Sequence, residues 1–290
     1  MPLIFDPFVV GIVLLAALMH ASWNAIVKTG GDGLLMFVLI KAPTMVIGAV
    51  VLAVAGPPNA ASIPYAIGSA AAFSAYCFLL IWAYRVGDFN FVYPVARGSA
   101  PLCVALLSGL LLGERLSGLG LSGVLIISAG IAVLAYHPRI VSRHLPDLLR
   151  AMGVGLCIGV YTLIDGVGAR ISGNFLGYVA ILTIFSGIPL MTAAFFLRGG
   201  ETVDFLRREW KAGIIGGAMM FAAYAIVIYA LTLSQMALVA ALRETSVIFA
   251  AVIGTLILKE PLGAKRIFAA MVVAAGIILV ALSGSYTDGV

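Results

Sequence analysis

Long apolar runs alternate with short polar segments along the whole chain of 290 residues. A helix needs about 20 mostly apolar residues to cross ~30 Å of hydrocarbon, and these runs have that length rather than the ~10-residue alternation of a membrane barrel. The pattern predicts ten transmembrane helices, over residues 8–28, 34–55, 64–84, 89–112, 119–136, 151–169, 175–197, 212–233, 237–258 and 264–283.

The sequence also repeats itself. Shifted by 146 residues, positions 83–134 align without a gap on positions 229–280, which places Arg97 on Arg243 and Glu114 on Glu260. Each repeat holds five predicted helices, and because five is odd the second repeat enters the membrane in the opposite sense to the first. We predict an all-α integral membrane protein of ten transmembrane helices, built as two inverted five-helix repeats around a central cavity. The predicted units are residues 1–137, a linker 138–150 and residues 151–290.

Composition excludes several classes of protein. Apolar residues make up 63% of the chain and charged residues 10%. A soluble domain of this size could not bury so much apolar surface away from water. The three cysteines fall inside predicted helices without metal-ligand spacing, and no P-loop or HExxH motif occurs, so we expect no metal and no cofactor. The net charge of +5 is dispersed through short loops, which argues against nucleic-acid binding.

The distribution of positive charge predicts an orientation. Twelve Lys and Arg residues fall on one side of a ten-helix chain, whereas only Arg115 and Arg170 fall on the other. The positive-inside rule then places both termini in the periplasm of a bacterial inner membrane.

Charged residues deep in predicted helices cost at least ~2.5–3.5 kcal/mol each on insertion scales, so each calls for a reason. They are Lys41, Arg97, Asp165 and Arg243. Arg97 and Arg243 enter from opposite faces, an arrangement suited to a carboxylate-bearing solute in a central cavity. Alternatively they form structural ion pairs with Asp165 or Glu244. On the first hypothesis Arg97→Ala lowers transport and leaves the folded yield intact. Pro94 and Pro101 predict a kink beside Arg97.

Other polar and aromatic residues share faces with these charges. His20 and Asn24 form a stripe on the first helix with Trp23 beside it, and Tyr161 precedes Asp165 by one turn. His20 or Asp165 is a candidate proton carrier, with a structural hydrogen-bonding role as the alternative for each. The predicted substrate-binding set is His20, Trp23, Asn24, Tyr76, Tyr93, Arg97, Tyr161, Asp165, Tyr224, Arg243 and Glu244.

Two related segments carry a family resemblance. They are LLLGERLSGLGLSGVLIISAGIAVLA in the first half and LILKEPLGAKRIFAAMVVAAGIILVA in the second, with Glu114, Glu260, Gly130 and Gly276 in corresponding places. With HASWNAIVK in the first helix, they resemble the EamA-type branch of the drug/metabolite transporter superfamily, in particular its amino-acid and metabolite exporters. The resemblance implies a secondary carrier that works by alternating access around a central cavity. It also implies cytoplasmic termini, against which the charge count is preferred here.

The predicted function is export of small solutes, with amino acids, including aromatic ones, as the expected substrates. The expected partners are therefore the small solute and the lipid bilayer, and a monomer is compatible with the sequence. A nucleotide-sugar or phosphometabolite carrier and a multidrug exporter stay open as alternatives. So does an intramembrane enzyme with His20 and Asp165 as an acid/base pair, although we do not expect an enzyme.

Overall fold

The computed structural model describes residues 6–28, 32–86, 89–135, 145–256 and 263–285. The described segments are helical, with short connections and no strand among them. The helices are α1 (Pro7–Lys28), α2 (Gly33–Ala55), a 3₁₀ turn (Ala60–Ser62), α3 (Ile63–Val86), α4 (Phe89–Leu112), α5 (Gly118–Ala135), α6 (Leu145–Ile171), α7 (Phe175–Arg198), α8 (Gly200–Arg208), α9 (Trp210–Leu233), α10 (Met236–Arg243), α11 (Ser246–Leu256) and α12 (Ala264–Ser285).

The membrane-spanning pattern predicted from the sequence is confirmed. Eight spans in the described part of the chain are long and apolar enough to cross a membrane, one of them formed by α10 and α11 together. Two shorter apolar helices, Gly118–Val133 and Ile267–Ser283, lie at the positions of the fifth and tenth predicted spans. The structure adds α8, a short helix whose Thr202 hydroxyl donates to the Ala194 carbonyl at 3.1 Å. The predicted linker, 138–150, lies partly outside the described residues, and its last six residues belong to α6.

One of the two helices that carry the arginines is interrupted, and it is the one without proline; the kink expected beside Arg97 from Pro94 and Pro101 stays a prediction. Helix α4 runs without a break across Pro94 and Pro101, whereas its counterpart in the second repeat, which has no proline, is interrupted between α10 and α11. There the Glu244 and Thr245 amides donate to carbonyls three residues back, at 3.1 and 3.0 Å. The Thr245 hydroxyl also donates to the Leu242 carbonyl at 2.6 Å. These bonds replace the i−4 pattern of an α-helix with one tight turn.

Helix packing follows the internal repeat. Helices α1 to α5 correspond in order to α6, α7, α9, the α10–α11 pair and α12. Two pairs of equivalent helices pack against each other: α5 packs on α12, and α2 packs on α7. Other contacts between the repeats occur twice, with the equivalent helices interchanged. The contact of α3 with α6 has its equivalent in the contact of α9 with α1. The contact of α4 with α6 has its equivalent in the contacts of α10 and α11 with α1. Such exchange is what a two-fold relation between the repeats produces, and five spans per repeat make that relation an inversion.

Polar contacts mark the two ends of this bundle. At the end where α1 begins and α12 ends, called the terminal end here, the Asn174 amide donates to the Ala55 and Gly56 carbonyls at 2.8 and 3.0 Å. At the opposite, basic end, Asp32 caps α2 and forms an ion pair of 2.7 Å with Arg198 at the end of α7. Partial burial raises the pKa of Asp32, but the hydrogen bonds from Arg198 and from two backbone amides outweigh it and lower the pKa. The α2–α7 pair is therefore clamped at both ends.

Helices α5 and α12 cross with their backbones in close approach at Gly123 and Gly276. A methyl group on Gly123 would lie 2.8 Å from the Gly276 carbonyl oxygen and 2.6 Å from the Val280 side chain. A methyl group on Gly276 would lie 2.9 Å from the Gly123 carbonyl oxygen. Small residues permit this contact, since apolar burial alone does not drive helices together in lipid.

Gly123→Ala should therefore destabilise the protein by about 1–3 kcal/mol, because the backbones must separate to admit the methyl group. The measurement is the thermal melting temperature of the purified protein in detergent. Gly68→Ala is the matched control, since nothing lies within 4 Å of a methyl group at that helical position. Equal melting temperatures for the two variants would contradict the role of the crossing.

Candidate solute cavity

A cavity of about 30 Å³ lies where helices of both repeats meet. That volume has room for one or two water molecules, so the cavity must widen to admit a larger solute. The lining residues come from α1, α2, α3, α4, α6, α9 and α10. They are Ala16, Ala17, His20, Trp23, Phe37, Phe73, Tyr76, Arg97, Tyr161, Met220, Ala223, Tyr224, Val227 and Arg243.

Seven of the eleven residues in the predicted set line this cavity. They are His20, Trp23, Tyr76, Arg97, Tyr161, Tyr224 and Arg243. Asp165 and Glu244 are buried behind the lining and Asn24 is half-buried, whereas the side chain of Tyr93 lies outside the described residues. The structure thus brings together most of the predicted residues, and their role in binding stays a prediction.

Arg97 is held by groups from the second repeat. Its Nε lies 2.9 Å from the Glu244 carboxylate, and its Nη2 donates to the Ser246 hydroxyl at 3.1 Å. Both charged side chains are about 95% buried, with 5% and 4% of their surface exposed. The structural ion pair considered as an alternative for Arg97 is therefore present, and its partner is Glu244 rather than Asp165.

Arg243 has a different environment, although it occupies the equivalent position in the other repeat. It ends α10, where a cation also interacts favourably with the helix carbonyls. No carboxylate in the described part of the chain lies within 4.0 Å of its guanidinium. The repeat explains the difference, since the residue 146 positions before Glu244 is Gly98. Arg97 has an acidic partner, and the corresponding position facing Arg243 lacks one.

An aromatic wall completes the cavity. The Phe73 ring lies 5.5 Å from the rings of Tyr76 and Tyr161 and 6.2 Å from Tyr224, between ring centroids. On α1, the His20 and Trp23 rings pack edge to face at 5.0 Å. Such a wall offers large apolar area together with tyrosine hydroxyls for a solute that has both apolar and polar parts.

Asp165 is buried between hydroxyl groups rather than against a cation. Tyr178 donates to its Oδ1 at 3.1 Å, and Tyr224 donates to its Oδ2 through a short hydrogen bond. The Asn24 amide donates to the His20 backbone carbonyl at 2.7 Å and so bonds within α1. Among the described residues, no hydrogen bond joins His20 to Asp165.

Sequence reasoning missed the apolar lining residues Phe37, Phe73 and Met220, and it missed Ser246 as a partner of Arg97. No local signal distinguishes these residues, because apolar positions in a membrane helix look alike whether they face lipid, protein or a cavity. Their spacing from the charged residues shows which of them share a helix face with a charge. It does not show which other helix packs against that face.

Comparison with known proteins agrees with this architecture. Residues 146–282 match the model of the EamA-like transporter family. This half of the chain is an EamA-like transporter repeat. The resemblance drawn from the sequence is thereby confirmed at the level of the family, which is consistent with the drug/metabolite transporter superfamily. We therefore describe the protein as a multi-pass membrane transporter; the amino-acid exporter branch stays a prediction.

The fold is also found in solved structures. A crystal structure of another protein superposes with a TM-score of 0.74 over 97% of this chain and 98% of that one, at 16% sequence identity. At this identity the likeness concerns the fold alone, and it extends through both repeats. No curated protein matches the sequence.

Glu114 of the first repeat links several segments at the terminal end of the bundle. Glu114 Oε1 forms a 2.7 Å ion pair with Arg170 from α6, and its Oε2 accepts from the Met236 amide of α10 at 3.0 Å. Arg170 also donates to the carbonyls of Leu231 and Ser234 at 3.0 and 2.9 Å. These four bonds, called the terminal latch below, join the α4–α5 loop, α6 and the α9–α10 loop across the repeats. Glu114 therefore connects α6 and α10 to the end of α4.

The Arg97–Glu244 pair changes the expected effect of removing Arg97. Because Arg97→Ala leaves the Glu244 carboxylate buried without its partner, it should cost about 3–5 kcal/mol and lower the folded yield. The double variant Arg97→Met with Glu244→Leu removes both charges and should recover most of that loss. A thermal melting cycle over the wild type, both single variants and the double variant measures the coupling. Arg208→Ala is the control, because that arginine and its partner Glu209 are mainly exposed. Additive single effects would contradict the coupling.

Proposed function

We propose that the protein is a secondary carrier that exports small carboxylate-bearing solutes from the bacterial cytoplasm, with amino acids, including aromatic ones, as the first candidates. The observation that carries the proposal is Arg243, a cavity-lining cation without a carboxylate within 4.0 Å among the described residues. A solute carboxylate supplies the missing partner and can accept two parallel hydrogen bonds from the guanidinium.

The balance of interior charge supports an anionic group on the solute. Of the two arginines at the cavity, Arg97 is paired with Glu244, whereas no carboxylate among the described residues lies within 4.0 Å of Arg243, which leaves its positive charge without a close acidic partner. A buried charge is costly unless it is paired, so the empty cavity favours a carboxylate and disfavours a cationic drug. This argues against the multidrug alternative.

The aromatic wall supports a solute with an apolar side chain. Phe73, Tyr76, Tyr161 and Tyr224 form one contiguous cluster beside Arg243. An amino acid places its carboxylate and its side chain within a few bonds of each other, which suits a site with a cation next to an aromatic surface. A nucleotide sugar would bring two phosphates, for which the single cation of this cavity without an acidic partner is a poor match.

Turnover in this proposal is by alternating access. The small cavity belongs to the closed state, and rigid-body movement of one repeat against the other exposes it to each side in turn. The positive charge gathered at the basic end supports a cytoplasmic location for that end, with both termini in the periplasm.

The proposal is tested by exchange of labelled solutes in proteoliposomes that contain the purified full chain. The panel holds aromatic and aliphatic amino acids, their amides, a nucleotide sugar and a cationic dye. Arg243→Gln should raise the half-saturating amino-acid concentration about 10- to 100-fold, since a hydrogen bond to a charged group contributes ~1.5–3 kcal/mol. Arg243→Lys should lie between that variant and the wild type. Arg115→Gln is the control, because Arg115 is exposed in a loop.

Two results would overturn the proposal. One is equal exchange of amino acids and their amides, which would remove the carboxylate from recognition. The other is saturable transport of the nucleotide sugar or the dye with no amino-acid flux from folded protein.

The terminal latch generates a separate prediction about access. Arg170→Asn places at this position the residue found 146 positions earlier, Asn24, and it removes the ion pair to Glu114. We expect the variant to open more often at the terminal end. The readout is labelling of Cys introduced at Ala223, a cavity-lining residue, by an impermeant maleimide added from that side, with Cys77, Cys103 and Cys157 replaced by alanine. Arg115→Asn serves as the matched control, and an unchanged labelling rate in Arg170→Asn would show that the latch does not hold this end closed.

A further inference from the structure

Two buried ionisable side chains have no part in the solute site described above. Lys41 on α2 is 3% exposed and Asp165 on α6 is 1% exposed. Within the described ranges, no group of opposite charge lies within 4.0 Å of either. An ionisable group inside a membrane bundle is expensive, and such groups mark ion and proton pathways in transporters.

Tyr224 lies between these two groups. Its hydroxyl donates to Asp165 Oδ2, and its side chain lines the solute cavity. Tyr224 also lines a second cavity of about 10 Å³, whose walls include Lys41, Thr44 and Thr183. That volume is close to the minimum that a single water molecule needs. Tyr224 therefore borders the solute cavity, the Asp165 carboxylate and the second cavity beside the Lys41 amine.

The surroundings of Lys41 accommodate it in the charged or the neutral form. Its Nζ donates to the Ser186 hydroxyl at 2.9 Å and lies 4.2 Å from the centre of the Phe73 ring. An ammonium group has three N–H donors, and the Ser186 bond uses one of them. The remaining donors have the second cavity beside them.

We infer that Asp165 and Lys41, connected through Tyr224, bind and relay the proton that drives solute export. This inference rests on the proposed function and adds its coupling ion. A proton first adds to an Asp165 carboxylate oxygen and forms the carboxylic acid. The acid then transfers its proton to the Tyr224 oxygen while the Tyr224 hydrogen passes, through the second cavity, to the neutral amine of Lys41. Each transfer breaks one O–H bond and forms one O–H or N–H bond, so one proton moves and no electrons are exchanged.

In this proposal, solute and proton transport are coupled because Tyr224 belongs to both the solute cavity and the relay. A solute that occupies the cavity and engages the Tyr224 hydroxyl withdraws it from the relay, so that solute and proton compete for the same group. Competition between the two ligands is the requirement for antiport, in which proton entry drives solute exit.

Other charged and titratable groups face this relay. Towards Asp165 they are Ser69 from α3, Tyr178 from α7, Tyr224 from α9 and Arg243 from α10, while Arg97 on α4 is paired with Glu244. Towards Lys41 they are Cys77 from α3 and Ser186 from α7. In the rest of the described helices packed on α2 and α6, no charged side chain comes within ion-pair distance of either residue.

The test compares two assays on the same proteoliposomes. One assay is amino-acid exchange at equal pH, which needs no net proton movement. The other is uphill amino-acid transport driven by a pH gradient, with a lumenal pH dye that reports proton flux. Lys41→Met should keep exchange and lose gradient-driven transport by at least about tenfold, in the range of typical coupling energies. Asp165→Asn should lower gradient-driven transport by a larger factor than it lowers exchange. Asp147→Asn is the matched control, since it makes the same change on the same helix near the basic end.

A measurement on the wild-type protein tests the relay even if the variants fail to fold. In weakly buffered detergent solution, adding amino acid to the wild type should release protons, detected by a pH indicator. Release of protons together with loss of gradient-driven transport in the variants supports the relay. Coupled transport that persists in Asp165→Asn, or solute binding without proton release, overturns the relay and leaves the carrier function intact. A wild type that exchanges no amino acid overturns both.

Discussion

The cost of burying charge in a membrane bundle orders the interior of this protein. Arg97 and Glu244 come from different repeats and share one ion pair of 2.9 Å, so neither charge is tolerable without the other repeat in place. The pair lies beside the turn between α10 and α11, and it ties α4 to this interrupted helix. Helix packing around the cavity therefore depends on an electrostatic contact as well as on apolar burial, which drives association weakly inside lipid.

If the contacts of the two inverted repeats were identical, the conformations open to either side of the membrane would have equal free energies. The two repeats of this chain differ at two places. Glu244 has Gly98 as its counterpart, which gives Arg97 a partner and leaves Arg243 without an acidic one. Arg170 has Asn24 as its counterpart, so the ion pair of the terminal latch cannot form in the same way at the basic end. Both departures exchange a charged residue for an uncharged one. The two-fold relation between the repeats is therefore broken at one arginine site and at one end of the bundle.

The sequence predicted the parts of the structure that follow from length, periodicity and repetition. Run length sufficed for the ten spans, and the 146-residue offset sufficed to bring Arg97 and Arg243 to one cavity. It failed where tertiary contacts decide. No proline marks the interruption between α10 and α11, which occurs at Glu244 and Thr245, where side-chain bonding competes with the helix. The choice of Glu244 over Asp165 as the partner of Arg97 depends on helix rotation, which a repeat alone does not determine.

A carrier must release its solute as well as bind it, and under the proposed function the two arginines have different parts in this. If both were paired with acids, the cavity would hold no charge for a carboxylate to recognise; if neither were, two uncompensated cations would burden every conformation. One arginine neutralised by protein and one left for the solute give a site whose charge is balanced only when it is occupied. Occupation then lowers the cost of closing the bundle around the solute, because closing removes water from a neutral pair instead of a lone cation. In the proposed relay, the tyrosine hydroxyls that hold Asp165 have a similar role, because a cation in direct contact would cancel the charge that a mobile proton has to neutralise; no cation of the described residues lies within 4.0 Å of Asp165.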